Sequence, residues 1–235
     1  MDRSANNKKL LSFLVYSYFG FDISKLADGE LTDDEKKKCA RRAYMDLSRT
    51  IKYKYSSSEL DKAKKDSDKY NYKVNRNTTI LHICNDLIDS IKNYPGDNAD
   101  FDSWHKSVCQ QIESTMNNKK LELLKEKFTI GQAQKWVNMT LKYLWLLDML
   151  PEGISETDLH VPIDSFILKA LEEKNISDIS HKDGTYKYNG ETWSRLGTYE
   201  KYKRLQEEIK KVADDNPIYW ESKAWIEVAT AKSNN

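Results

Sequence analysis

Two residues of the sequence combine a reactive side chain with a position at the start of a predicted helix. Lys135 falls in the first turn or so of the helix that Gly131 opens, and Asp164 follows Pro162-Ile163 directly before another predicted helix. An amine can attack an electrophilic carbon, and an ionised carboxylate can stabilise positive charge that develops there. Each also has an ordinary interpretation, because a lysine on a helix surface is normally solvated and an aspartate before a helix is normally its N-cap.

The segment Phe128-Thr129-Ile130-Gly131 predicts a hairpin between two helical segments. Glycine lets another backbone approach closely. The next helix begins there, so its free N–H groups and positive dipole end should point outward, where a DNA phosphate is a natural ligand. A glycine between two helices is more often only a C-cap, so this feature alone identifies no function.

Taken together, these features resemble the helix-hairpin-helix superfamily of DNA glycosylases. In that family a hairpin glycine is followed by a lysine on the second helix, and an aspartate opens a later helix. The matching residues are Gly131, Lys135 and the segment Val161-Pro162-Ile163-Asp164. The pair Gln134-Lys135, and the separation of 29 positions from Lys135 to Asp164, are most similar to the archaeal 8-oxoguanine DNA glycosylase branch.

The same branch carries an acid and a tryptophan four residues apart on its last helix. Glu221 and Trp225 match that spacing, with glutamate where aspartate is usual. The resemblance covers roughly residues 120–230. The N-terminal half has no matching motif, and the polar segment 174–193 departs from the family pattern.

The resemblance implies that a nucleotide is flipped out of double-stranded DNA and its base is excised. Asp164 would stabilise positive charge at the sugar, and Lys135 would attack the anomeric carbon, with or without strand cleavage. Glu221 and Trp225 would bind the flipped base. Because His160 is close to Asp164 in sequence, it either lines the same pocket or has a role in the turn. The implied contacts to the DNA backbone come from Thr129, Gly131, Gln132 and Gln134.

Several alternatives stay open at this point. Lys142, seven residues after Lys135 and so near the same helix face, is a rival nucleophile that lacks the helix-start position. The excised base is either an oxidised purine such as 8-oxoguanine, in DNA repair, or a glucosylated hydroxymethylcytosine, in defence against phage. The competing function is a non-catalytic helical module that binds DNA or another partner. We expect a monomer without cofactor or metal.

Composition favours helix. The 235 residues include only 8 Gly and 4 Pro, whereas Lys, Glu, Leu and Asp dominate. We therefore predict an all-α protein, and the resemblance implies two packed helical subdomains in a glycosylase-like fold. A small β-hairpin insertion is expected at 186–193, turning on Asn189-Gly190. We expect one unit over 1–235, with the helix-hairpin-helix and catalytic part at 100–235 and a helical part of uncertain role at 1–99.

Periodicity and caps place the individual helices. We predict helices at about 8–20, at 33–55 behind a Thr32–Glu35 capping box, from Thr78 or Thr79 to 91, and from 103 to 116. A turn is expected at Pro95-Gly96-Asp97-Asn98. Further helices are predicted at 121–124, 131–150, 165–172, 197–213 and 217–230.

Charge distributes unevenly along the chain. The formal net charge is only +1, yet residues 41–76 contain 11 Lys and Arg against 5 Asp and Glu. Tyrosines are interleaved there, and base stacking plus phosphate contact would use such a mixture. The more usual alternative is a solvated helix face with the tyrosine rings packed inward.

The three cysteines, Cys39, Cys84 and Cys109, are too widely spaced for a zinc or iron–sulfur pattern, and their sparse, odd number suits a reducing cytoplasm. No run is apolar and long enough to span a membrane. The apolar run 10–21 lacks a cleavage site in a good position, so we expect a buried first helix rather than a signal peptide.

Overall fold

The described part of the chain is mostly helical and contains one two-stranded sheet. The computed structural model describes residues 3–23, 32–65, 67–96, 99–213 and 216–233. The helices are α1 (Arg3–Phe19), α2 (Asp33–Ser48), α3 (Ser57–Asp61), α4 (Asp68–Lys92), α5 (Phe101–Met116), α6 (Ile130–Leu146), α7 (Ser165–Glu172), α8 (Tyr199–Val212) and α9 (Pro217–Ser233), with strands β1 (Ile179–Lys182) and β2 (Thr185–Tyr188) and a 3₁₀ helix at Trp193–Arg195.

Helix α6 lies inside the protein, with other elements packed around most of its surface. Helix α2 packs along one side of it and α5 along another, and the 3₁₀ helix covers its N-terminus. Trp136 is completely buried, donates from Nε1 to the carbonyl oxygen of Ala40 at 2.9 Å and packs against Tyr44. One continuous cluster of buried apolar side chains therefore draws on both the N-terminal and the C-terminal half of the chain.

Capping residues explain where several helices begin. Thr32 and Glu35 form the predicted capping box of α2, and Asp164 is the N-cap of α7. Helix α2 ends at Ser48, earlier than predicted. Helix α4 is capped by Ser67 rather than by Thr78 or Thr79, because the preceding polar residues continue the helix with their side chains mostly in solvent.

The prediction of a helix at 121–124 is wrong. Leu123 packs in a small cluster with Leu60 and Tyr72, and Leu124 pairs with Tyr53 through an isolated β-bridge. These tertiary contacts hold the segment extended, so a 13-residue loop, residues 117–129, separates α5 from α6.

The predicted β-hairpin is present, but it turns at a different place. Strands β1 and β2 pair around Asp183-Gly184, both with positive φ, as a tight hairpin turn requires. Asn189-Gly190 also has positive φ and forms a second tight turn, closed by a bridge from Tyr188 to Glu191.

The first helix does not have the buried surface that we predicted. Among the described side chains of α1, Val15 is buried, whereas Leu10, Leu11, Phe13 and Leu14 are more than half exposed. Cys39, Cys84 and Cys109 are buried free thiols. Within the described ranges, no helix has both the length and the apolar character needed to cross a membrane. Asp97 and Asn98 of the predicted turn lie outside the described residues.

Candidate active site

The side chains of Lys135 and Asp164 meet. Lys135 Nζ lies 2.9 Å from Asp164 Oδ2, and the two side chains are only 7% and 14% exposed. The other carboxylate oxygen, Oδ1, accepts the backbone N–H groups of Phe166 at 2.9 Å and Ile167 at 3.1 Å. Asp164 therefore caps α7 with one oxygen and presents the other to the amine.

The surroundings keep the Asp164 carboxyl ionised. Burial by itself raises the pKa of this group, but the charge and hydrogen bond of Lys135, with the two backbone N–H groups, outweigh burial and lower the pKa below its usual value of 3.8. At neutral pH the site thus contains a carboxylate with a fixed orientation, directly beside an amine.

The pair lies in a cleft of about 360 Å³. That volume is within the range of small-molecule sites and near its lower end. The cleft is formed by five helices, the 3₁₀ helix and the residue that follows α2, and its lining residues are Tyr18, Met45, Asp46, Arg49, Lys135, Met139, Lys142, Tyr143, Asp164, Ser165, Phe166, Trp193, Glu221 and Trp225.

Both residues singled out on the last helix line this cleft. Trp225 is 39% exposed, so part of its ring is free to contact a ligand, and it packs against Phe166 with ring centroids 4.9 Å apart. Glu221 is almost fully buried and pairs with Lys142 inside the cleft. The rival lysine therefore lies in the same site as Lys135 but has its own carboxylate partner.

The N-terminal half supplies one wall of the cleft. Asp46 accepts a hydrogen bond from Tyr143 and pairs with Arg42 at 3.3 Å, and Arg42 lies 3.8 Å from the centroid of the Tyr18 ring. These wall residues carry no motif, so they could not be predicted from the sequence. The signal that the sequence did contain concerns α6, where the spacing of Lys135, Met139 and Lys142 places all three on one face of the helix.

Comparison of the chain with protein-family models, with curated proteins and with solved structures finds no match. Among the described residues, no group of three or more His, Cys, Asp or Glu side chains is arranged to hold a metal ion.

The polar groups of the predicted hairpin bond within the protein, so they are not available to a ligand. The N–H of Gly131 donates to the carbonyl oxygen of Leu196 at 2.9 Å, and the Thr129 hydroxyl donates to that of Ser194 at 2.9 Å. Gln132 closes a capping box with Thr129 and donates from Nε2 to the Thr50 carbonyl oxygen. The expectation of an outward-facing N-terminus is corrected, because the 3₁₀ segment already covers this end of α6.

Gln134 is also turned inward. It is completely buried and donates from Nε2 to the carbonyl oxygens of Gly131 and Ile163. Its place next to Lys135 serves the packing of α6 against the segment that leads into Asp164. The structure gives it no exposed surface for a DNA backbone.

His160 does not line the cleft, which corrects its expected place in the base pocket. Its Nδ1 lies 2.8 Å from the Tyr202 hydroxyl, and its Nε2 lies 2.8 Å from Oδ1 of Asp102. His105 lies beside it, bonded to Tyr199 and Asn138 at 2.8 Å each. Burial lowers the pKa of both histidines, for His160 against the opposing charge of Asp102.

Proposed function

We propose that the protein is a DNA glycosylase that removes a modified base through Lys135 and Asp164. The observation that carries this proposal is the 2.9 Å contact between an amine and an ionised carboxylate on the wall of a cleft of nucleobase size. The resemblance of the same residues to the helix-hairpin-helix glycosylases supports the assignment, although the loop between α5 and α6 is longer than a tight hairpin.

The proposed mechanism begins with a nucleotide flipped into the cleft. Trp225 offers a ring face to the base. Asp164 stabilises the positive charge that develops on the sugar as the C1′–N bond breaks and its electron pair leaves with the base. Lys135 donates a proton to the departing base, its amine then bonds to C1′, and the proton released from that nitrogen passes to Asp164. The C1′–O4′ bond then breaks as the nitrogen lone pair forms the C=N bond of a Schiff base, and Asp164 returns the proton to O4′.

The substrate is proposed as duplex DNA with either an oxidised purine or a glucosylated hydroxymethylcytosine. The first test is mass spectrometry of bases released from duplexes that carry one such base each. Lys135→Gln and Asp164→Asn should each abolish release. Lys120→Gln, which removes an exposed lysine outside the cleft, should keep it. Thermal melting of each variant reports whether it still folds.

Borohydride reduction during the reaction tests the covalent step, because it traps a Schiff base between lysine and sugar. If Lys135→Gln and Asp164→Asn both release base at the wild-type rate, the proposal is wrong. It is also wrong if the wild-type protein binds DNA with strong salt dependence yet releases no base from any duplex. That second outcome would indicate the non-catalytic DNA-binding module instead.

A further inference from the structure

A second cavity opens beside the cleft. Its volume is about 320 Å³, and it is lined by Arg41, Tyr44, Met45, Ser48, Arg49, Tyr53, Ser57, Arg76, Asn77 and Ile80. We call it the arginine groove. Met45 and Arg49 line both cavities, so the groove continues from the cleft along α2.

The arginine groove is lined by cations. None of the described residues that line it is acidic. Within the described ranges, Arg41, Arg49 and Arg76 have no carboxylate within ion-pair distance, whereas the cleft lysines Lys135 and Lys142 are both paired. Three guanidinium groups that stay unpaired around one concave surface favour an anion with several oxygen atoms, since guanidinium matches phosphate geometry.

Arg76 is held in place before any ligand arrives. Its guanidinium carbon lies 5.1 Å from the centroid of the Tyr53 ring. The Tyr53 hydroxyl is bonded in turn to the Tyr44 hydroxyl at 2.9 Å. The Nε atom of Arg76 is buried and has no hydrogen-bond partner in the described protein. A guanidinium held against an aromatic ring loses little freedom when it binds an oxyanion.

We propose that the arginine groove binds the phosphodiester backbone of the DNA strand whose nucleotide enters the cleft. This inference rests on the proposed function, which supplies the reason for a DNA strand to lie there. The N-terminus of α6 is covered by the 3₁₀ segment, so a backbone contact has to be made elsewhere. The groove is next to the cleft, and Arg49 is at the junction of the two.

The test uses an unmodified DNA duplex and fluorescence anisotropy between 50 and 200 mM salt, with no base release required. The variant is Arg41→Gln with Arg49→Gln, which changes two exposed side chains. The matched control is Arg204→Gln with Lys210→Gln, two exposed cations on α8 that line neither cavity. Loss of two phosphate contacts should weaken binding about tenfold or more and reduce the slope of log K against log salt by about 2.

Equal affinity and equal slope in the variant and its control would overturn the proposal that the groove binds DNA. A wild-type protein that does not bind DNA would overturn it as well. Preference for RNA of the same sequence over the duplex would overturn it too. The proposals for the groove and for the cleft can be rejected independently. If the groove variant loses affinity in a protein that releases no base, DNA binding by the groove is supported and the glycosylase is rejected. If base release depends on Lys135 and the groove variant binds normally, the glycosylase is supported and DNA binding by the groove is rejected.

Discussion

Gln134 and Ile163 exchange two hydrogen bonds. Gln134 Nε2 donates to the Ile163 carbonyl oxygen at 3.2 Å, and the Ile163 N–H donates to Gln134 Oε1 at 3.2 Å. Lys135 directly follows the first residue and Asp164 directly follows the second. The paired hydrogen bonds therefore fix the distance between the two backbones from which the amine and the carboxylate project.

Replacing Gln134 with Met should impair base release more than it impairs folding. The substitution keeps the side-chain volume but leaves both polar groups of Ile163 without partners, at a cost in stability of about 1–3 kcal/mol for each group. Because a displacement of about 1 Å can cost a hundredfold in rate, kcat should fall by about that factor while KM stays near the wild-type value. Single-turnover kinetics measures the first and a substrate titration the second.

Gln206 provides the matched control for that experiment. It is also a buried glutamine that exchanges two hydrogen bonds with the same segment, donating to the Val161 carbonyl oxygen at 2.7 Å and accepting its N–H at 3.0 Å. Gln206→Met should lower stability to a similar extent, but it acts three residues before Asp164 and should reduce kcat less. Equal loss of kcat in the two variants would mean that Gln134 supports folding alone.

Lys142 and Glu221 form a buried ion pair in the cleft. Lys142→Met should therefore lower the free energy of unfolding by about 3–5 kcal/mol, because Glu221 would remain buried without its cation. The double variant Lys142→Met with Glu221→Gln should recover most of that loss. Both should still form a borohydride-trapped adduct, since the reactive amine is assigned to Lys135. Peptide mapping of the wild-type adduct decides the matter, and an adduct on Lys142 would reverse the assignment.

Much of this arrangement could be predicted from local sequence. Most of the helices are predicted by the Thr32 capping box, the apolar stripes and the low glycine content. Helix α7 begins directly after Asp164 and covers the predicted residues 165–172. That Lys135 and Asp164 meet was implied by the resemblance to the helix-hairpin-helix glycosylases, because each residue alone has an ordinary interpretation on its own helix. Four residues named before the structure, Lys135, Asp164, Glu221 and Trp225, line one cleft.

The remaining features depended on contacts between distant segments, which local sequence does not encode. Leu124 has helical spacing from Leu121. Leu123, however, packs against Tyr72, and Leu124 pairs with Tyr53, so the segment stays extended. His160 is close to Asp164 in sequence, but hydrogen bonding to Tyr202 draws its ring into the interior. The charge excess of residues 41–76 was visible, whereas the groove that three of its arginines line was not.

Gly131 should not tolerate a side chain. A Cβ atom at this position would lie 1.9 Å from the carbonyl oxygen of Trp193, a backbone atom that cannot move without displacing the 3₁₀ helix. Gly131→Ala should reduce the free energy of unfolding by about 1–3 kcal/mol in urea denaturation. It should also raise KM for base release, because Trp193 lines the cleft.

Gly197 is the control for this substitution. An added Cβ there would have as its nearest neighbour the Arg195 carbonyl oxygen at 3.9 Å, an ordinary contact distance. Gly197→Ala should change stability by less than about 1 kcal/mol. If the two alanine variants unfold at the same urea concentration, the close approach at Gly131 is not maintained in solution.

Stability should fall as the pH is lowered from 7 to 5, and the buried histidines are the cause. Burial lowers the pKa of His105 and of His160 below the usual value of 6.5. In the unfolded chain both rings take up a proton near that value, whereas in the folded protein burial moves the protonation of both rings to lower pH. The unfolded state therefore binds more protons below pH 6.5, and each such histidine lowers the free energy of unfolding by up to about 1.4 kcal/mol per pH unit.

Asp164 acts in a separate window. Its pKa is lowered from 3.8, so the stability it contributes is present above that pH and is lost only as the pH falls further. Urea denaturation between pH 5 and 8 thus isolates the histidines. His105→Asn should flatten the dependence of stability on pH, whatever it does to stability at pH 8. An unchanged slope in the His105 variant would show that this ring is not held neutral by burial, and the acid sensitivity would then have to come from elsewhere.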